Sequence, residues 1–131
     1  MNKIIQIKIF NDILDQFFCY LESEFPFFKS DIILTKSSVD FIRRANPRLV
    51  VEQFLKFISP YSTQIMECDE DFFINFESNM VLNKDHILYG LKIKSMWMES
   101  SGQNPEKTLR QKATIFYYFQ KLLKSASKVT M

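Results

Sequence analysis

Few side chains in this sequence have the types and spacing that chemistry needs. His86 is the only histidine, so any Cys–His or Ser–His–Asp relay would have to run through it. It follows Asp85 at an expected helix start, with no motif around it, and reads as a surface or helix-terminus residue. Cys19 and Cys68 are the only thiols, and no CxxC spacing joins them to a metal. They read as reduced core residues with no disulfide. The run Glu67-Cys68-Asp69-Glu70-Asp71 has the carboxylate density of a Ca²⁺ or Mg²⁺ site. A calcium loop, however, needs alternating ligands, a glycine at its sixth position and a later bidentate Glu. Phe72, Phe73 and Ile74 fall where that turn should be. The acids instead suit a helix start, where the dipole favours negative charge. Gly90 and Gly102 are isolated, so no glycine-rich loop cradles a phosphate. No catalytic residue, cofactor site or metal ligand emerges, and the expected class is non-enzymatic.

Charge offers a second kind of site. Residues 1 to 91 carry 9 Lys or Arg against 13 Asp or Glu, whereas residues 92 to 131 carry 8 against 2. At about 100° per residue, Lys107, Arg110, Thr114, Tyr117, Lys121, Lys124 and Lys128 fall on about a third of one helix circumference. Leu109, Ala113, Ile115, Phe116, Phe119, Leu122, Leu123 and Ala126 are expected on the buried side. Such a stripe reads as a solvated face, as a track for nucleic-acid phosphates, or as a contact for an acidic protein partner, including the acidic part of a second copy. Few arginines means sequence-independent contact, with no base readout. Arg43, Arg44 and Arg48 are candidates to extend the patch. A membrane-surface helix shows the same pattern, but here the apolar half is needed for the core.

The elements that must hold this stripe can be read in order. Ile9, Ile13, Leu14, Phe17, Phe18 and Leu21 recur at helical spacing and predict one long first helix, ended by Pro26. Phe25, Phe27 and Phe28 are expected to pack a turn onto the core, followed by a single helical turn near Asp31 to Leu34. Ser37 or Ser38 is then read as the cap of a helix through Ala45, with Asp40 in its first turn. Asn46-Pro47 is a cap-plus-proline start. The helix it opens, residues 47 to 58, is apolar nearly all round and is read as the central buried one. Ser59-Pro60 and Asp69 mark two further starts, and Asn79 or Asn83 a helix running through Trp97. Residues 99 to 104 form the clearest loop, and Asn104-Pro105 opens a last helix to about Ser125, with the tail after Lys128 frayed.

The whole, residues 1 to 131, is expected to be one all-α domain of about five to seven helices. Fourteen Phe with only two Gly disfavours tight hairpins and nucleotide-cradling loops. The opening residues lack a signal-peptide pattern, and no apolar run approaches the ~20 residues of a membrane span, so an intracellular protein is expected.

The run NPRLVVEQFLKFISPY, followed by ECDEDFF, resembles small uncharacterised helical proteins of giant DNA viruses that infect amoebae and algae. The resemblance covers roughly residues 10 to 98 and carries over no functional residue. It implies a viral source and a place in host cytoplasm or in the virion. Apart from that resemblance, the expected function is a small interaction or structural protein, self-associating as a homodimer or meeting another protein. Tyr117, Tyr118 and Trp97 are expected as its exposed aromatics. The alternative is a sequence-independent nucleic-acid binder using Lys107, Arg110, Tyr117, Lys121, Lys124 and Lys128.

Overall fold

The computed structural model describes residues 2–81 and 86–130, and about 85% of the chain is helical with no strand among them. Asn83 and Asp85, read above as part of a helix start, lie outside those residues. The first helix, α1 (Lys3–Glu24), is capped by Asn2, whose Oδ1 accepts from the Ile4 N–H at 2.7 Å. Its apolar residues bury at i, i+3 and i+4 spacing: Phe10, Ile13, Leu14, Phe17, Phe18 and Leu21. Pro26 ends it and opens a 3-10 turn (Pro26–Phe28) that leads straight into α2 (Lys29–Ala45). Only Phe25 of the three flanking phenylalanines is buried in the core. Phe28 packs on the core's edge and Phe27 points into solvent.

Helix α2 corrects the expected Ser37/Ser38 start. Neither serine caps, because the chain is already helical there, and Ser38 Oγ donates back to the Leu34 carbonyl at 3.2 Å. Asp40 accordingly lies in the helix interior, where it binds Arg43. The next start is as read: Asn46 Oδ1 accepts from the Arg48 N–H at 3.1 Å and Pro47 opens α3 (Pro47–Ile58). Val50, Val51, Phe54, Phe57 and Ile58 are buried, and Arg48 reaches Glu52 one turn on.

A second 3-10 turn (Ser59–Tyr61) prolongs α3 into α4 (Ser62–Met66). Asp69 lies one residue ahead of the N-cap of α5 (Asp71–Ile74), which is Glu70, and its Oδ1 accepts from the Asp71 N–H at 3.0 Å. Within the acidic run Asp69 makes this turn bond and Glu70 pairs with Lys112 at 3.0 Å. Helix α6 (Phe76–Val81) follows. The helix expected through Trp97 begins only at Ile93, as α7 (Ile93–Ser101). Residues 86 to 90 form a turn that ends at Gly90, whose φ of +92° is left-handed and suits glycine. Asn104 Oδ1 caps α8 (Pro105–Thr130), accepting from the Lys107 N–H at 2.8 Å. This helix runs past the expected end near Ser125, because Ala126 and Val129 still pack in the core.

Helices α1 and α8 make the most extensive pairing, and α3 packs against both. Between α8 and the short helices lies an aromatic lattice. Phe119 meets Phe17, Phe72, Phe73 and Phe76 edge-on, with centroids 5.2 to 6.2 Å apart. Phe73 stacks on Trp97 at 4.6 Å, and Lys112 Nζ lies 4.8 Å over the same indole. Trp97 is fully buried, so it is a core residue and not an exposed interface aromatic. The thiols are corrected in the opposite sense: Cys19 and Cys68 are both free and exposed.

Candidate interaction surfaces

Helix α8 sets out the basic stripe in the register that its periodicity required. Arg110, Tyr117, Lys121, Lys124 and Lys128 are exposed and Lys107 is half-buried. The Lys121 ammonium lies 5.4 Å over the Tyr117 ring. Among the described residues, none of these five cations makes a salt bridge. Arg43, Arg48 and Lys112, by contrast, are each held by a carboxylate. Arg43 bridges Asp15 at 2.9 Å and also binds Asp40, so it joins α1 to α2 instead of extending the stripe. Arg48 is likewise taken by Glu52 at 3.1 Å. Of that group only Arg44 is exposed without an ion pair among the described residues.

The apolar side of α8 is narrower than its periodicity suggested. Ile115, Phe116, Phe119, Leu122, Leu123 and Ala126 are buried, but Leu109 is 73% exposed and Ala113 is exposed too. At about 100° per residue both positions fall at the edge of the buried arc, next to the basic stripe. Leu109 and Ala113 therefore line the rim of an open groove beside Trp97 and Cys68.

A second surface lies on α2 and the turn before it, and the sequence reading above does not find it. Phe27, Leu34 and Phe41 are 83%, 68% and 77% exposed. They recur every seven residues, Leu34 and Phe41 two turns apart on α2 and Phe27 in the 3-10 turn that precedes it. Exposed Ser30, Ser37 and Arg44 fill the alternate positions, which completes a 3-4 heptad seam. The signal is present as Phe27-x6-Leu34-x6-Phe41, but a helix break expected at Ser37 divides it.

His86 proves to be buried, which corrects the surface reading. Its ring sits 4.6 Å from Phe57, and its Nδ1 accepts from the Leu88 N–H at 3.1 Å. Burial in this apolar wall pushes its pKa down to about 4.

No protein-family model matches this chain, and no curated protein or solved structure is significantly similar to it. The fold and these surfaces are therefore what its function must be argued from. No helix among the described residues is long and apolar enough to cross a membrane. No group of three or more His, Cys, Asp or Glu among them is placed to hold a metal ion.

Proposed function

We propose that this is a non-enzymatic interaction protein that pairs with a second copy of itself through α2. The observation that carries this reading is the row of Leu34 and Phe41 on α2 with Phe27 in the 3-10 turn before it, three large apolar side chains left in water. A second, antiparallel α2 is the occupant the seam fits. Large residues at one heptad position then lie over small ones at the other: Phe41 over Ser30 of the second copy, and Leu34 over its Ser37. The ends match as well, because Phe27 of one copy meets Arg44 of the other, a cation with no carboxylate partner among the described residues. One helix pair of this length buries little area, so the dimer belongs to the weak, micromolar class. The resemblance to giant-virus proteins makes a virion or host cytoplasm the expected setting, where high local concentration favours weak pairing.

Sedimentation over a concentration series tests this. The expected result is a monomer–dimer equilibrium that Phe41→Glu or Leu34→Glu shifts fully to monomer. Because both side chains are exposed, the variants should melt as the parent does. A parent that stays monomeric at high concentration, or a dimer indifferent to both changes, would sink the reading.

The unpaired stripe favours a second reading, sequence-independent contact with nucleic acid through α8. If all five cations meet phosphates, log affinity for duplex DNA should fall against log salt with a slope of about −4.5. Reversing Lys121 and Lys124 to Glu should remove about two units of that slope. A salt-independent affinity, or one untouched by the double reversal, would exclude it.

A further inference from the structure

Helices α1 and α8 run antiparallel, since Phe17 meets Phe119 while Gln111 reaches back to Glu24. The start of α1 therefore lies beside the end of α8, and Ile9 and Ile13 share a wall with Lys121, Lys124 and Lys128. On its other flank the same stretch of α1 sets Ile4 and Ile7 beside Lys8 and Arg48. Among the described residues no carboxylate lines either groove. Asp12 and Glu52 are already held by Lys8 and Arg48, and Lys121, Lys124 and Lys128 make no salt bridge among the described residues.

Three isoleucines stand in water on this stretch. Ile4 and Ile5 lie in the first turn of α1 and Ile9 one turn on, and all are exposed, Ile4 by 75%. Single exposed apolar residues are ordinary, but a group of them flanked by cations marks a contact surface. A lysine beside apolar side chains lays its stem along them and keeps its ammonium in water. Together these are the parts of an interfacial surface: apolar side chains that enter the headgroup boundary, and cations around them that meet negative lipid. The apolar half of α8 is committed to the core, so α8 alone cannot make such a surface; the start of α1 supplies what it lacks. A polyanion in water, such as nucleic acid, would use the lysines and leave the isoleucines exposed, whereas a lipid surface uses both. We propose that this end of the bundle rests on an anionic bilayer surface. Ile4, Ile5 and Ile9 meet the acyl boundary, and Lys121, Lys124 and Lys128 lie over the headgroups. Contact of this kind needs no membrane-spanning helix, and it shares no residue with the α2 seam.

Co-sedimentation with vesicles tests the surface, using phosphatidylcholine mixed with phosphatidylserine against phosphatidylcholine alone. Binding to the anionic vesicles is expected, weakening as salt is raised, and at least about tenfold weaker on the neutral ones. Lys124→Glu with Lys128→Glu should weaken it by about 25-fold or more, since each cation near an anionic surface contributes about fivefold. Ile4→Ser with Ile5→Ser should weaken it about tenfold through lost apolar contact, with the lysines untouched. Because all four side chains are exposed, both double variants should melt as the parent does. Several outcomes would overturn the proposal: no binding to anionic vesicles, equal binding to neutral ones, or affinity unchanged in either double variant. Binding of oligothymidylate without binding of anionic vesicles would also overturn it, and would assign the lysines to nucleic acid alone.

Discussion

Phe119→Ala is expected to destabilise the fold by about 4–5 kcal/mol, the upper part of the range for a buried aromatic truncated to alanine. The ring is fully buried and meets four other rings at once: Phe17 of α1, Phe72 and Phe73 of α5, and Phe76 of α6. Removing it opens a cavity whose walls are themselves large rings on separate helices. Those walls cannot collapse inward without moving backbone, so the cavity cost is added almost in full to the lost transfer energy. Phe54 is the informative comparison. It is equally buried, but among the described residues its ring pairs with Phe10 alone, at 5.3 Å. With one ring partner in place of four, less rigid aromatic wall surrounds the space it would leave, so Phe54→Ala should cost about 3 kcal/mol. Urea unfolding of the two variants checks the ordering. Equal losses, or a larger loss for Phe54→Ala, would show that the core is centred on α3 and not on the aromatic lattice beside α8.

That ordering bears on how much of the molecule could be read in advance. Asn46-Pro47 and Asn104-Pro105 announce their helices because a cap and a fixed φ act within a few residues. The basic stripe is legible for a similar reason: one uninterrupted helix carries it, so angular position follows from residue number. What fails depends on neighbours distant in the chain. Ser37-Ser38 offers a cap, but the cap needs non-helical backbone, and helix has already propagated from Lys29. Trp97 is covered by Phe73 and Phe116, and Leu109, at the edge of the buried arc of α8, is left bare. Neither outcome is written in local periodicity. Burial of His86 has the same origin, since the Phe57 ring that shields it lies 29 positions earlier.

His86 gives the chain a stability that falls in mild acid. The ordinary imidazole pKa of 6.5 applies to the unfolded chain, and burial lowers it to about 4 in the folded protein. Between these values the unfolded chain holds a proton on His86 that the folded protein does not, so stability rises with pH across that window. The contribution is complete above pH 6.5 and is lost progressively as pH falls toward 4. Over the full window it amounts to about 3 kcal/mol, since each pH unit between the two values contributes about 1.4 kcal/mol. The geometry explains the direction. Nδ1 accepts from the Leu88 N–H at 3.1 Å, which places the neutral ring's proton on Nε2, in the buried wall beside Phe57. Charging the ring would set a second donor against the Leu88 N–H and leave a cation in a wall shielded from water. The backbone of Phe54 and Gln53 favours the charged form, but by less than burial opposes it. His86→Asn keeps an acceptor within reach of the Leu88 N–H but does not titrate. Urea unfolding from pH 7.5 to 4.5 should therefore show a decline in the parent that His86→Asn lacks over the same range. An NMR titration of the His86 ring adds a direct reading, with no midpoint expected above pH 5 while the protein is folded. A ring that titrates near 6.5 in the folded state, or a His86→Asn protein that declines as steeply as the parent, would overturn the assignment.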